Sequence, residues 1–374
     1  MLEESEQKFR HKIQEFVNEN ITREAEQFEK NECIPECLIQ KIALEGYLGC
    51  NIPKEYGGSQ MNCIQIGILN SEFAKGCFSV RSLLTVQGMV AFAILRWGTD
   101  EQKSKWLPKL ASGEAIGGFA LAEKESGTDA KAIRLSYKET TDGYILSGEK
   151  RWVTYGKIAN LLLVFARDGE SYSAFLVEKE HADIEVSKVK DVMALNATMI
   201  ADIKFKECNI PKENLIGGIN NGIRYVASTC LDYGRITVAW GCLGISQACL
   251  EICCNYMQER KQFGQYLKDI SLVQKMLTEI LTKTTSIELL CEHASRLRDK
   301  EAFESTLYTC IAKYEASNVA VQVTNKAIQI LGAAGCTKDF PIERYYKEAK
   351  ICELIEGTSQ IMEILISSNS IWRI

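Results

Sequence analysis

Leu161-Leu162-Leu163-Val164-Phe165 and Ala174-Phe175-Leu176-Val177 decide how this 374-residue chain is read. Both are short apolar runs bounded by glycine and charge, too brief for a helix and suited to buried strands. Tyr144-Ile145-Leu146 has the same character, so the stretch from about Gly117 to Gly217 reads as a β-region. On either side the period changes. Upstream, Phe9, Ile13 and Phe16 recur at helical spacing, with a break at Ile52-Pro53-Lys54-Glu55-Tyr56-Gly57-Gly58. Downstream of Gly222, Ile245, Ala248, Ile252 and Tyr256 form one helical stripe, and Val273, Met276, Ile280 and Ile287 form another. A third stripe, Ala316, Val319, Val323, Ala327 and Ile330, runs into Gly332-Ala333-Ala334-Gly335. The fold class is therefore mainly α with a central β-domain: a helical domain over residues 1–114, a β-domain over 115–217 and a helical bundle over 218–374.

Composition narrows the function. A charged fraction of 25% with 46% hydrophobic residues suits a globular protein, and five prolines without a Gly/Ser tract predict one compact unit without flexible linkers. A net charge of -5 gives no general basic field for nucleic acid or an anionic membrane. No uninterrupted run approaches the roughly 18 apolar residues of a membrane span, and residues 1–16 lack a signal peptide's apolar core. The fifteen cysteines are scattered through apolar segments, which predicts buried thiols, Cys253 and Cys254 among them, in a reducing cytoplasm. His11, His181 and His293 are far apart and no paired C-x-x-C motifs occur, so no metal is expected. Wide apolar helix faces with small residues predict contact with other subunits as well as within the chain.

Three segments carry the chemistry. The first is Phe119-Ala120-Leu121-Ala122-Glu123-Lys124-Glu125-Ser126-Gly127-Thr128-Asp129 with Gly148-Glu149-Lys150-Arg151-Trp152-Val153-Thr154-Tyr155-Gly156. Taken alone, it is a β-hairpin with a core tryptophan. The second is Glu259-Arg260-Lys261-Gln262-Phe263-Gly264 at a helix end, which alone is a charged terminus anchored by Phe263. The third joins Gln329-Ile330-Leu331-Gly332, Arg344-Tyr345-Tyr346-Lys347-Glu348-Ala349-Lys350 and Ile355-Glu356-Gly357-Thr358-Ser359-Gln360-Ile361. One glutamate among 49 acidic residues is ordinarily a solvated charge, but Gly357 beside it lets the backbone approach a ligand closely.

Together, and in this order, the three segments resemble the acyl-CoA dehydrogenase family over essentially the whole chain. The resemblance implies an N-terminal helical domain, a middle β-barrel-like domain and a C-terminal four-helix bundle that bind FAD and an acyl thioester. It implies that Leu121, Ala122, Gly127 and Thr128 line the cofactor, with Thr128 at the pyrophosphate, Trp152 against the isoalloxazine ring and Thr154 near its N5 edge. Arg260, Gln262 and Phe263 would reach the FAD of a neighbouring subunit, the arginine through forked donors that match a pyrophosphate. Gln329 and Gly332 would approach the neighbour's cofactor, and Thr358 and Gln360 the FAD itself. A homodimer at least, or a homotetramer, follows.

By the same resemblance Glu356 is the base that removes the thioester's α-proton while the β-hydrogen passes as hydride to the flavin. Closed in by apolar walls, its carboxyl should be raised toward the working range. Some members carry the base at the position of Gly234, which cannot accept a proton. Asp232, Arg235 and Gly357 match residues near the pantetheine and the base, and Trp240 and Ile355 would shorten the acyl pocket. Asp232 and Arg235 also read as an intrahelical i,i+3 pair, and Trp240 as a wedge between helices. The chain departs from the family at Ala122, which replaces a threonine and removes one flavin contact, at Lys124-Glu125, which replaces Pro-Gly, and at Asn196, which replaces an arginine. Ser79-Val80-Arg81-Ser82-Leu83-Leu84-Thr85-Val86-Gln87-Gly88, Lys124-Glu125 and Val238-Ala239-Trp240-Gly241-Cys242-Leu243-Gly244 resemble a subgroup that acts on small acyl groups held by an acyl carrier protein in polyketide and non-ribosomal peptide pathways. The expected activity is thus α,β-dehydrogenation of a small carrier-bound acyl thioester, with an electron acceptor for the reduced flavin. The alternatives are an ordinary short-chain acyl-CoA dehydrogenase, an oxidase using oxygen, and a non-catalytic carrier-binding homologue.

Overall fold

The computed structural model describes residues 2–180 and 183–370. His181 lies outside the described residues. Helices α1 (Glu4–Asn20), α2 (Ala25–Asn31), α3 (Glu36–Leu44), α4 (Cys63–Gly76), α5 (Phe78–Trp97) and α6 (Asp100–Ser112) come first. The break at Ile52–Gly58 is a turn between α3 and α4, where Gly57 takes a left-handed φ of 80°. Strands β1 (Gly117–Ala120), β2 (Ser136–Glu139), β3 (Gly143–Val153), β4 (Leu161–Asp168), β5 (Ser171–Glu178), β6 (Ile184–Lys188), β7 (Ala201–Pro211) and β8 (Leu215–Ile216) follow. Then come α7 (Ser228–Glu259), the short strands β9 (Lys261–Gln262) and β10 (Gln265–Tyr266), α8 (Ser271–Asp299), α9 (Ser305–Leu331), α10 (Ile342–Cys352) and α11 (Ser359–Ser370). The order is helical, β, helical.

Contacts divide the chain into two compact units, where composition had suggested one. The first is Met1–Ala25, Cys63–Arg81 and Arg235–Ile374; the second is Glu26–Asn62 and Ser82–Gly234. Two of the boundaries fall inside α5 and α7, which is why no linker marks them in the sequence.

In the second unit the strands are laddered in the order β6-β7-β3-β2-β4-β5-β8, with β1 parallel to β4. Among the described residues no ladder joins β6 to β8, so the sheet is open along this path. The two deciding runs are β4 and β5, paired antiparallel from Leu161↔Glu178 to Asp168↔Ser171. β4 is buried on both faces from Leu161 to Ala166, so its apolar run is continuous and does not alternate. Leu162 and Val164 of β4 join Leu146, Phe175 and Phe205 in one buried core cluster. The ladder between β3 and β7 shifts register between Lys150 and Val153, which takes Arg151 and Trp152 off it.

In the first unit α8, α10 and α11 pack on α9, whose stripe Ala316, Val319, Val323, Ala327 and Ile330 is buried throughout. α7 is buried on nearly all sides from Ile236 to Cys249, so Ile245 and Ala248 belong to a segment without a solvent face and not to a stripe, while Ile252 and Tyr256 are half-buried. Phe78–Trp97 and Gly222–Glu259 are long and apolar enough to cross a membrane, but 89% and 78% of their apolar windows are buried within the fold. No disulfide links any of the cysteines. Most are buried, as is Cys253; Cys254 is half-buried, and Cys37 and Cys336 are exposed.

Candidate active site

α10 stops at Cys352 and α11 begins at Ser359, and the loop between them carries Glu356. Two consecutive residues there are left-handed, Glu356 at φ 55° and Gly357 at φ 99°. A side chain at Gly357 would be strained by that φ, and its Cβ would lie 2.8 Å from Met362 Cε. Two cations hold the loop by its carbonyls. Arg235 Nε on α7 donates to Glu356 O at 3.1 Å, and Lys313 Nζ on α9 donates to Gly357 O at 2.7 Å. Thr358 caps α11, its Oγ1 accepting from Ile361 N at 3.4 Å.

Glu356 keeps some accessible surface as a residue, but its Oε2 is shut away with no hydrogen-bond partner among the described residues. Burial pushes its carboxyl up to about 7, although Arg235, Arg81 and Lys313 all pull the other way. Desolvation therefore outweighs three cations. The backbone N–H of Glu356 donates to no group among the described residues. A carboxyl poised near neutrality beside an unused N–H can take a proton and steady a developing oxyanion.

In the second unit Leu121 is buried and Ala122 half-buried, just beyond β1. Arg151 N donates to Ala122 O at 2.8 Å, which ties this segment to the irregular stretch of β3. Trp152, off the ladder at φ 61°, is 48% exposed; it is not the core tryptophan of an ordinary hairpin. The Arg151 guanidinium lies 4.5 Å from its ring centroid, and its N–H faces Asp202 Oδ1 at 3.4 Å. Thr154 is half-buried, while Gly127 and Thr128 are exposed. Lys124 and Glu125 sit on an exposed turn where Glu125 pairs with Arg134 at 2.7 Å. Asn196 donates from N and Nδ2 to Glu29, which pins the loop before β7.

Arg260 sits at the C-terminal end of α7, its N–H still donating to Tyr256 O at 2.9 Å, and leads into the β9–β10 hairpin. Gln262 is exposed in β9, and Phe263 at φ 51° with Gly264 at φ 78° forms the tight turn. Phe263 is 95% exposed, so it anchors nothing within this chain. Gln329 is exposed in the last turn of α9, and Gly332 after it adopts φ 63°, ψ -137°, a region open essentially to glycine alone.

The structure thus gathers Glu356, Gly357, Thr358 and Arg235 in one unit, and Leu121, Ala122 and Trp152 in the other. Ile355 is half-buried beside the base, and Gln360 is exposed. Asp232 is half-buried and Gly234 buried on α7. Trp240 lies about 140° round α7 from Arg235 at 100° per residue. Its ring packs on Gly67 of α4, where a Cβ would come within 2.2 Å, and its Nε1 donates to Ser295 Oγ at 2.9 Å. Sequence reasoning missed Lys313. The available signal was a lysine between Ala312 and Ala316 in a helix stripe that is otherwise buried and small.

Three family models account for nearly all of the chain: the N-terminal domain of acyl-CoA dehydrogenases over residues 3–114, the middle domain over 118–208 and the C-terminal domain over 220–371. The chain belongs to the acyl-CoA dehydrogenase family. It is 33% identical to the mitochondrial short-chain specific acyl-CoA dehydrogenase of Sus scrofa, over 98% of this chain and 90% of the pig protein. Butyryl-CoA dehydrogenase from Megasphaera elsdenii superposes with a TM-score of 0.95 at 28% identity, over 99% of both chains. FkbI, a protein for biosynthesis of the methoxymalonyl extender unit of a polyketide immunosuppressant, superposes with a TM-score of 0.88 at 27% identity, over 97% of this chain and 99% of that one.

As an acyl-CoA dehydrogenase, the protein is an FAD-dependent oxidoreductase that acts on CH–CH groups of acyl thioesters. The residues present fit the cofactor. A strained, half-exposed Trp152 offers an aromatic face, and at Gly127 and Gly332 an added Cβ would meet nothing within 4 Å, leaving the backbone open to a ligand.

Proposed function

We propose that this acyl-CoA dehydrogenase introduces an α,β double bond into a short acyl thioester, with Glu356 as the base. The observation that carries the reading is the buried, partnerless Oε2 of a carboxyl raised to about 7, on a backbone held left-handed by two cations. Above that pH the carboxylate is ready to accept the α-proton, and the free Glu356 N–H is a donor for the thioester oxygen as charge grows on it. FAD, when bound, supplies the acceptor for the two electrons the substrate loses. Leu121, Ala122, Gly127, Thr128, Trp152, Thr154, Thr358 and Gln360 would hold it. Arg260, Gln262, Phe263, Gln329 and Gly332 would serve the cofactor of a second copy, a role that suits a Phe263 exposed at a hairpin tip.

The acyl group is assigned to the pantetheine arm of an acyl carrier protein. That finer reading is supported by the likeness to FkbI only as far as polyketide extender-unit biosynthesis, and otherwise by the segments, the exposed Lys124-Glu125 turn among them, that resemble the carrier-dependent subgroup. The test is the visible spectrum of the purified holoenzyme, followed anaerobically as butyryl-CoA and short acyl-carrier thioesters are added to wild type and to Glu356→Gln. Bleaching of wild type alone supports the base, and faster bleaching by the carrier thioester supports the carrier. Equal bleaching of both proteins removes Glu356 from the reaction; bleaching by the CoA ester only removes the carrier.

A further inference from the structure

We propose that Lys313 is a positioning residue for the base, its buried ammonium fixing the Glu356-Gly357 backbone through the Gly357 carbonyl. This inference rests on the reading of Glu356 given above.

Lys313 has no exposed surface, although lysine is among the residues least often fully buried. A methionine or leucine would fill the same space between α9 and its neighbours without the penalty of burying an amine. The amine's hydrogen-bond partners explain its presence. They are Gly357 O at 2.7 Å and, more weakly, Glu353 O at 3.5 Å, two carbonyls of the one loop that bears the base. Arg235 takes the intervening Glu356 carbonyl at 3.1 Å. Two successive peptide planes are thereby set by cations from α7 and α9, and left-handed residues of this kind persist only where the surroundings over-determine them. Lys313 need not touch the substrate to matter, because it sets where the carboxylate points.

Its charge acts as well. Arg235 from α7, Arg81 from α5 and Lys313 from α9 face Glu356, and Lys313 itself is faced by Cys242, Cys352, Glu356 and Arg235. Burial pushes the Lys313 ammonium down, and the charge it retains pulls the Glu356 carboxyl down against its own desolvation.

The experiment compares Lys313→Met, which has neither donor nor charge, with Lys313→Gln, which keeps a donor but no charge, using Glu356→Gln as a control. In the flavin-loaded enzyme both Lys313 variants should keep the wild-type visible spectrum and KM. The Met variant should lose on the order of 100-fold in kcat, as a small misplacement of a reacting group does. The acid limb of its pH profile should move to higher pH, since a cation favouring the carboxylate is gone. The Gln variant should recover part of kcat but keep the displaced limb. Wild-type kcat and pH profile in Lys313→Met, with Glu356→Gln inactive, overturn the inference and leave the base standing. Failure of both Lys313 variants to fold also overturns it, by assigning the residue to the fold alone. An active Glu356→Gln sinks the underlying reading instead.

Discussion

Lys150 Nζ lies 2.7 Å from Glu123 Oε1, with no exposed surface on the lysine side chain. The ammonium also donates to Leu121 O at 2.9 Å, and the carboxylate accepts from Arg134 N at 2.6 Å and Leu135 N at 3.0 Å. This clamp joins the segment after β1 to the last regular residue of β3 before Trp152. Burial brings the lysine down to about 8, with Glu123 opposing.

Breaking one side of such a pair leaves the other charge buried. Lys150→Met should therefore destabilise the fold by about 3 kcal/mol in urea titrations. Glu123→Gln should cost less, because an amide oxygen in the place of Oε1 can still accept from Leu135 N and from the Lys150 ammonium, although its NH2 then faces Arg134 N. The double variant should lose less than the sum of the single changes. Strict additivity would mean that the pair has no coupling energy.

The pH dependence follows from Glu356. Its folded value of about 7 exceeds the ordinary 4.5, so between those values the folded state binds more protons than the unfolded one. Its contribution to stability therefore falls as pH rises through that window, and the penalty persists above it. Glu356→Gln should stabilise the protein at pH 8 by up to ~3 kcal/mol and change nothing at pH 4. In wild type, turnover should rise with pH through about 7 along a single-proton limb. Identical melting curves for the two proteins at pH 8 would count against a desolvated carboxylate.

Much of this was legible in advance, for reasons that differ by element. The apolar runs of β4 and β5 announced strands because both faces are buried, and the stripe of α9 announced its helix because all five positions reach the core. Glu356 was legible through the resemblance of Glu356-Gly357-Thr358 to the family, strengthened by Gly357, a glycine whose φ of 99° no other residue adopts easily. What sequence could not show was long-range geometry. The hairpin that lifts Phe263 off the end of α7 depends on two positive φ values, and the grip of Lys313 on Gly357 spans 44 residues. The passages between units inside α5 and α7 leave no compositional trace, because a helix continues through each.

Three glycines separate strain from ligand access. Gly357→Ala meets Met362 and a forbidding φ, so kcat should fall at least 100-fold, on the scale of a misplaced catalytic group. Gly332→Ala meets no atom but needs φ 63°, ψ -137°, and should cost about 1–3 kcal/mol of stability. Gly127→Ala meets neither obstacle. Its melting temperature without cofactor should be unchanged, while its affinity for FAD, read by fluorescence titration, should fall. Unchanged affinity would remove Gly127 from the cofactor's path.

Trp240 tests packing against specificity. Its ring fills the space over Gly67, so Trp240→Ala should lose about 3–5 kcal/mol as a large core truncation. The relative kcat/KM values for four-carbon and eight-carbon thioesters should stay as they are. A variant that newly prefers the longer chain would place Trp240 at the end of the acyl pocket.

Trp152 tests the cofactor bed itself. Its left-handed φ of 61° costs on the order of 1 kcal/mol, which glycine would relieve. The contact with Arg151 gives back ~0.5–1 kcal/mol that glycine would lose. The two nearly cancel, so what Trp152→Gly loses in the absence of cofactor is the burial of the covered half of the ring, about 2 kcal/mol. If the exposed face is there for the flavin, the same variant should release FAD more readily on dilution and show a visible spectrum closer to that of free flavin. A clear loss of stability with normal flavin retention would instead make Trp152 part of the sheet's own packing.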